Sequence, residues 1–430
     1  MKNALVKAVA AVPAKMKIVT PVWADIIGKS GEPLETMKTT RQALAAFEGA
    51  GIVCSYDIFH DRRLIGGEIL GSEHGQISDD VCLKLREMIR DQFNFDPGKN
   101  NMWDAINLAC RENAYHPILD YLKALTWDGK HRIDTWLIDY MNAPNTPFVR
   151  AVSAMTLTAS VRRVRKPGTK FDYMTVLESP EGENKSSALA ALYGAENFSD
   201  QSILGLTDKE LQEAVRGRWG MEAADLSGMR RADVERLKAQ LSRQEDRTRP
   251  AYGRAVIDTP RCGVFWGTTN DAQYLRSQTG NRRFLPVPVA RIDVKRIIAD
   301  RDQLWAEACV ADDLEMDIML PEALWAAAAV EQDARTERDP WLDLLRDVAR
   351  HGAREKDRGA YEVLDTGEER ISSMFILRDV IMIESRNLTP EHGKRLSRVL
   401  GRLGWNGPKP MRINGKTERG YWRVTPDPLS

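Results

Sequence analysis

The chain lacks several things whose absence narrows its class. Nowhere in its 430 residues do about eighteen apolar residues stand together, so a membrane-spanning helix is excluded. The five cysteines, Cys54, Cys82, Cys110, Cys262 and Cys309, are odd in number, scattered and never at C-x-x-C spacing. That pattern argues against both a disulfide framework and a zinc site. The six histidines gather with neither cysteines nor carboxylates, which leaves no histidine-based metal or nucleophile site in view, and His116 beside Pro117 reads as structural. Charge of one sign is missing too: 62 basic residues cancel 62 acidic ones. No global field draws the chain to nucleic acid or membrane, and any nucleic-acid site must be a local patch. The first fifteen residues superficially resemble a signal peptide, but Lys7 interrupts the apolar run and Pro13 and Lys15 close it, so secretion is disfavoured. The length is enough for two or three domains with a sizeable core.

What is present centres on residues 171–187, where an apolar strand-like run empties into a loop ending in Asn184-Lys185-Ser186-Ser187 and a helical pattern follows. That is the layout of a phosphate-binding loop, in which backbone N–H groups and a helix N-terminus face phosphate, a lysine reaches the outer phosphates and a hydroxyl ligates Mg2+. The loop residues are Ser179, Glu181, Gly182, Glu183, Asn184, Lys185, Ser186 and Ser187. The spelling departs from G-x-x-x-x-G-K-[ST] at two places, with Ser179 and Asn184 standing where glycines are usual. Asparagine is the least penalised replacement in left-handed backbone, and Gly182 remains inside the loop. By itself the segment is equally an ordinary strand–turn–helix with a solvated lysine.

Three further segments follow in order. Residues 216–225 form a short hydrophobic stretch that delivers Glu222 and then Asp225, acids of the kind that hold Mg2+ or orient an attacking water. Residues 262–270 are a buried-strand pattern ending in Thr268-Thr269-Asn270, which can sense a γ-phosphate or simply make a turn. Residues 279–287 carry Arg282 and Arg283 in a glycine-led turn before a strand, a place from which a guanidinium can reach a neighbouring subunit's nucleotide.

With these motifs in this order, from about residue 30 to the end, the chain resembles the virulence-associated E family, P-loop ATPases related to superfamily 3 helicases and phage primase–helicases. The resemblance also rests on residues 115–122, 125–130, 166–173, 246–253 and 280–284. It implies an α/β fold with a P-loop NTPase core of the AAA+ or superfamily 3 type, an ATPase and DNA helicase of phage replication, and ATP and Mg2+ as cofactors. Lys185 and Ser186 then bind phosphate and Mg2+, Glu222 and Asp225 form the second acidic motif with Glu222 at the metal, Asn270 is the sensor and Arg282 or Arg283 the finger. Expected partners are DNA, single-stranded in this reading, copies of the chain in a ring such as a hexamer, and a separate primase or other replication proteins, in the cytoplasm of a bacterial host. The rival is a degenerate, non-hydrolysing DNA-binding initiator, regulator or interference factor, since both loop glycines are lost.

Three domains are expected: an N-terminal accessory domain over 1–145, α+β and mostly helical; the ATPase domain over 146–335; and a winged-helix-like domain over 336–430. Helices are expected near 39–49, 79–93, 101–113, 117–125, 131–141 and 230–242, with a strand at 52–59. Residues 351–369 read as a connector. The basic run 162–166 reads as a solvated helix end or as a DNA contact, and Lys238, Arg247, Arg249 and, more weakly, Arg254 are channel-facing candidates for DNA. Residues 371–430 hold eleven Lys and Arg against five Asp and Glu. Two helices and a hairpin around Asn414-Gly415 make a winged-helix order there, with Arg398, Arg402, Lys409, Arg412, Lys416 and Arg419 placed for phosphate backbone, or the unit serves as a protein interface.

Overall fold

The computed structural model describes residues 18–27, 31–67, 70, 74–201, 203, 205–226, 231–248, 257–275, 280–337, 339–349 and 359–424. The chain divides into two compact units, residues 1–336 and 337–430.

The first unit opens with α1 (Met37–Glu48), whose cap is Thr36, with Thr39 reciprocating from the third position. The helix therefore starts three residues before the Thr39 capping signal expected from sequence. β1 (Val53–Asp57) and β2 (Arg62–Gly66) form a hairpin, extended by β3 (Gly75–Gln76) and on the other side by β4 (Ala114–Tyr115). Helices α2 (Asp79–Phe93) and α3 (Gly98–Glu112) bury Leu85, Ile89, Ala105, Ile106 and Ala109 against α1 and this sheet in one apolar cluster. The next two helices, α4 (Pro117–Ala124) and α5 (Trp136–Met141), lead into α6 (Pro147–Arg165), which is buried on nearly every side.

The central sheet is built from β5 (Met174–Glu178), β6 (Phe198–Ser199), β7 (Gly220–Ala223), β10 (Val264–Thr269) and β11 (Phe284–Pro288), all parallel, in the order β11-β5-β10-β7-β6. Its strands read as continuous apolar runs because both faces are covered. On one face lie α5, α6, α7 (Lys185–Tyr193) and α10 (Val294–Asp313), packed around Trp136, Trp219, Trp266 and Trp305. The other face carries α8 (Asp208–Val215) and α9 (Arg231–Leu241), through Leu211, Val234, Leu237 and Leu241. α9 runs into an antiparallel pair, β8 (Glu245–Thr248) and β9 (Ile257–Pro260). α11 (Trp325–Ala334) packs against β11.

The second unit holds α12 (Pro340–Leu345), β12 (Tyr361–Val363), β13 (Glu368–Ser372), α13 (Pro390–Arg402), β14 (Asn406–Ile413) and β15 (Lys416–Val424). Its four strands form an antiparallel sheet, β12-β13-β15-β14, over Leu345, Ile371, Leu396, Leu400 and Tyr421. The described part of the segment expected to be a connector, 351–369, thus supplies two strands. The hairpin forms around Asn414-Gly415, with positive φ at both residues. The helix expected over 372–383 is shorter, a turn of α-helix at Ser373–Phe375 followed by a π turn at Ile376–Val380. Among the described residues no helix is long and apolar enough to cross a membrane.

Candidate functional site

Parallel register brings the carboxyl ends of β5, β7 and β10 together, the edge at which α/β sheets bind ligands. β5 ends at Glu178 and turns through residues 179–184 into α7. Asn184 takes the left-handed conformation, φ 59° and ψ 30°, as the helix N-cap, and its side chain makes no capping hydrogen bond. The first N–H groups of α7 therefore keep the open, positively polarised end of a helix. Gly182 sits at φ 87° in open space.

Side chains from three strand ends and the loop converge here. Glu222, fully buried at the end of β7, accepts from Ser186 Oγ at 2.8 Å and from Thr268 Oγ1 at 2.6 Å, both on Oε1. Its Oε2 is buried without a partner. Lys185 Nζ donates to Ser179 O (2.9 Å), Ser179 Oγ (2.9 Å), Pro180 O (3.2 Å) and Asn270 Oδ1 (2.9 Å). Burial lowers the Lys185 ammonium below its ordinary range, partly offset by the carboxylates of Glu222, Glu183 and Glu181. Glu183 is held by the backbone N–H of Arg291 at 2.6 Å. Glu181 and Ser187 are exposed, and so is Asp225, just beyond β7 at φ 51°.

A second cluster lies at the root of the loop, one that sequence reasoning missed. Glu178 accepts two charge-assisted bonds from Arg335, from Nη2 at 2.8 Å and Nε at 3.0 Å, and a third from the Tyr274 hydroxyl at 2.8 Å. Arg335 also pairs with Glu331. Burial, together with the Glu178 carboxylate, pushes the Tyr274 phenol well above its usual range, so it remains a neutral donor. Nothing in local spacing could reveal this cluster, because Glu178 and Arg335 are 157 residues apart.

Arg282 and Arg283 occupy the opposite edge of the sheet. They precede Phe284, which pairs with Met174 at the start of β5, whereas Pro288 pairs with Glu178 at the loop. Four residues of strand place them about 13 Å or more from their own loop. Arg282 is exposed, while Arg283 Nε donates to Ser242 Oγ at 3.0 Å and lies 3.7 Å from Asp172.

The DNA-contact candidates separate. Lys238 is corrected: its side chain is 5 % exposed, paired with Glu235 at 3.2 Å and lying over the Phe284 ring, so its ammonium is inside the molecule. Arg247 is exposed on β8, near Asp258. Arg249 and Arg254 lie outside the described residues. In the second unit Arg402, Lys409, Arg412, Lys416 and Arg419 are exposed and Arg398 is half-buried. The basic run ending α6 is no solvated helix end: Arg162 and Arg165 pair with Asp312, and Arg163 is buried. Among the described residues no group of three or more His, Cys, Asp and Glu is placed to hold a metal ion.

No curated protein matches the chain. Among solved structures, the apo structure of the NrS-1 C-terminal region aligns at a TM-score of 0.51 and 11 % identity, covering 90 % of this chain and 99 % of that one. An A-form apo structure of the same region aligns at 0.49 and 13 %, covering 89 % and 99 %. At such identities the likeness is one of fold. The model of the virulence-associated protein E-like domain matches residues 122–337, half of the chain, a span that holds the whole parallel sheet, the 179–187 loop and the Arg282 turn. The chain belongs to the virulence-associated protein E-like family.

Proposed function

We propose that the chain is a nucleotide-dependent DNA motor of phage- or mobile-element-type replication, a P-loop NTPase with a winged-helix-like second unit, in which Mg·ATP seats in the 179–187 loop and an arginine of a neighbouring copy completes the site. The observation that carries this reading is Glu222: a fully buried carboxylate with one oxygen held by Ser186 and Thr268 and the other without a partner. Burying an unsatisfied charged oxygen is costly unless a ligand relieves it. An oxygen-ligated divalent cation fits a donor set of one carboxylate and one hydroxyl, with phosphate and water supplying the rest. Bound Mg2+ would neutralise charge on the phosphates. The residues of the chain do the remainder: the α7 N-terminus and Lys185 bind phosphate, Asn270 and Thr268 position the terminal group and water, and Glu222 and Asp225 provide the acids.

For Lys185 to serve phosphate it must exchange its present acceptors, Ser179, Pro180 and Asn270, for phosphate oxygens. Arg282 is the better finger of the pair, since Arg283 is tied to Ser242 and Asp172. Both stand too far from their own loop to act in cis, which supports action in trans within a ring. Single-stranded DNA is the proposed track, with Arg247, Arg402 and Lys416 among its contacts.

One observation favours the non-hydrolysing alternative. The loop carries Ser179 and Asn184 in place of glycines and two acids of its own, Glu181 and Glu183, so a triphosphate enters a loop of net negative charge. Steady-state turnover with and without single-stranded DNA separates the two. DNA-stimulated hydrolysis lost in Lys185→Ala supports the motor; DNA binding without turnover supports the alternative. Calorimetry that detects no Mg·ATP uptake at millimolar ligand ends the nucleotide reading.

A further inference from the structure

The outer face of α11 is apolar and uncovered. Of its ten residues only Ala328 and Gln332 are buried, and Trp325 (58 % exposed), Ala326, Ala329 and Val330 (69 % exposed) form one stripe at i, i+1, i+4, i+5 spacing. An amphipathic helix turns such a stripe inward. Here the inner face is held by polar bonds instead: Gln332 Nε2 donates to Phe284 O at 2.9 Å, and just beyond the helix Thr336 Oγ1 accepts from Asn281 Nδ2 at 3.2 Å. The helix is thus fastened to the turn that carries Arg282, with its apolar side outward. A contiguous exposed apolar stripe of this kind marks an interaction surface.

We infer that this stripe, together with the Arg282 turn, is the seat for a second copy of the chain, which docks with its loop-bearing end. The inference rests on the reading of Arg282 as acting in trans, and charge supports it independently. The sheet end beside α11 presents Arg282, and the opposite end presents Glu181 and Glu183 in the loop. Parallel register holds these ends apart within one molecule, so the complementary surfaces can meet only between copies, head to tail. Ile298, 54 % exposed in the second turn of α10 on the loop side, offers an apolar counterpart to Trp325. A contact of this type is heterologous and closes into a ring or extends as a filament.

The test is the mass of the full chain by light scattering against concentration, with and without Mg·ATP. Wild type assembles. Trp325→Glu/Val330→Glu shifts the assembly midpoint by at least about tenfold, while its melting temperature and its Mg·ATP affinity by calorimetry stay as in wild type. Arg282→Glu and Glu181→Arg each assemble poorly alone, and an equimolar mixture assembles, because each variant then presents what the other lacks. A wild type that stays monomeric, a double variant of unchanged mass, or one that melts earlier without change of mass, as when the stripe is covered by its own chain, each overturns the inference. Assembly retained by a chain that takes up no nucleotide overturns the nucleotide reading alone.

Discussion

Asn184 sits where a Cβ ordinarily costs about 1–2 kcal/mol, and the cost is lowest for asparagine. Asn184→Gly should therefore change stability by less than about 1 kcal/mol, whereas Asn184→Val should cost more than about 1 kcal/mol and lose Mg·ATP binding; urea denaturation and calorimetry check the pair. This residue was legible, since its chemistry is local. Lys238 was not, because a lysine's burial depends on a neighbouring turn, here Gly280 and Phe284, that no spacing predicts. Asp57 is a second residue whose role only the fold shows. Its carboxylate bonds the ring of His60, whose other nitrogen meets Asn197 at 3.0 Å, joining the β1–β2 hairpin to the central sheet. Burial opposes the Asp57 charge, but the His60 ring and the backbone N–H groups of His60 and Phe59 outweigh it and hold the carboxyl below its usual range. A depressed carboxyl contributes stability that is full above its unfolded value, near 4, and is lost as pH falls through the folded one. Asp57→Asn should lower stability at pH 7 and flatten this acid limb, as read by urea midpoints between pH 7 and pH 3. Equal midpoint losses at both ends of that range would remove Asp57 as the cause.

At the scale of elements, β10 shows what lets the sheet close. A Cβ on Gly263, just before the strand, would collide with the backbone carbonyl oxygen of Arg218 and come within 3.0 Å of that of Trp219, neither of which can yield cheaply. On Gly267 it would meet the side-chain ends of Leu226, Met174 and Val176 at 2.8–3.1 Å, which can move. Gly263→Ala should thus cost about 3 kcal/mol or more and Gly267→Ala about 1–2 kcal/mol, ranked by denaturant midpoint; the reverse ranking would show that the β7–β10 approach is looser than its geometry. Strands β5, β10 and β11 were readable as apolar runs because both faces of a parallel sheet are buried. The end of α6 was misread for a related reason. Arginines in a basic run look solvated, yet Asp312, at the far end of α10, collects Arg162 and Arg165, while Arg163 is driven down to about 10 by burial and by Arg261. Helix periodicity reports which face is inward, not which distant carboxylate waits there.

Across the whole molecule charge cancels, so attraction to DNA must come from local arrays, and the second unit supplies one. Its cations are not equivalent. Arg395 is committed to Asp339 at 2.7 Å and lies over the Trp341 ring, and Arg423 is committed to Glu369 at 3.1 Å. Arg402, at the end of α13, and Lys416, at the start of β15, are exposed. The net positive tail was visible in the sequence; which of its cations are already spent was not, since Asp339 and Glu369 lie outside the 371–430 window in which the excess was counted. On the proposed reading each exposed cation neutralises one phosphate and releases its counterion. Arg402→Ala/Lys416→Ala should therefore weaken single-stranded DNA binding and reduce the slope of log affinity against log salt by about 1.4, at about 0.7 per contact. Arg395→Ala should leave that slope unchanged while lowering thermal stability, because it breaks a bidentate pair and an aromatic contact within the fold. Anisotropy titrations of labelled oligonucleotide at several salt concentrations measure both. An unaltered slope in the double variant would move the DNA track off this unit and onto the β8–β9 pair, where Arg247 stands.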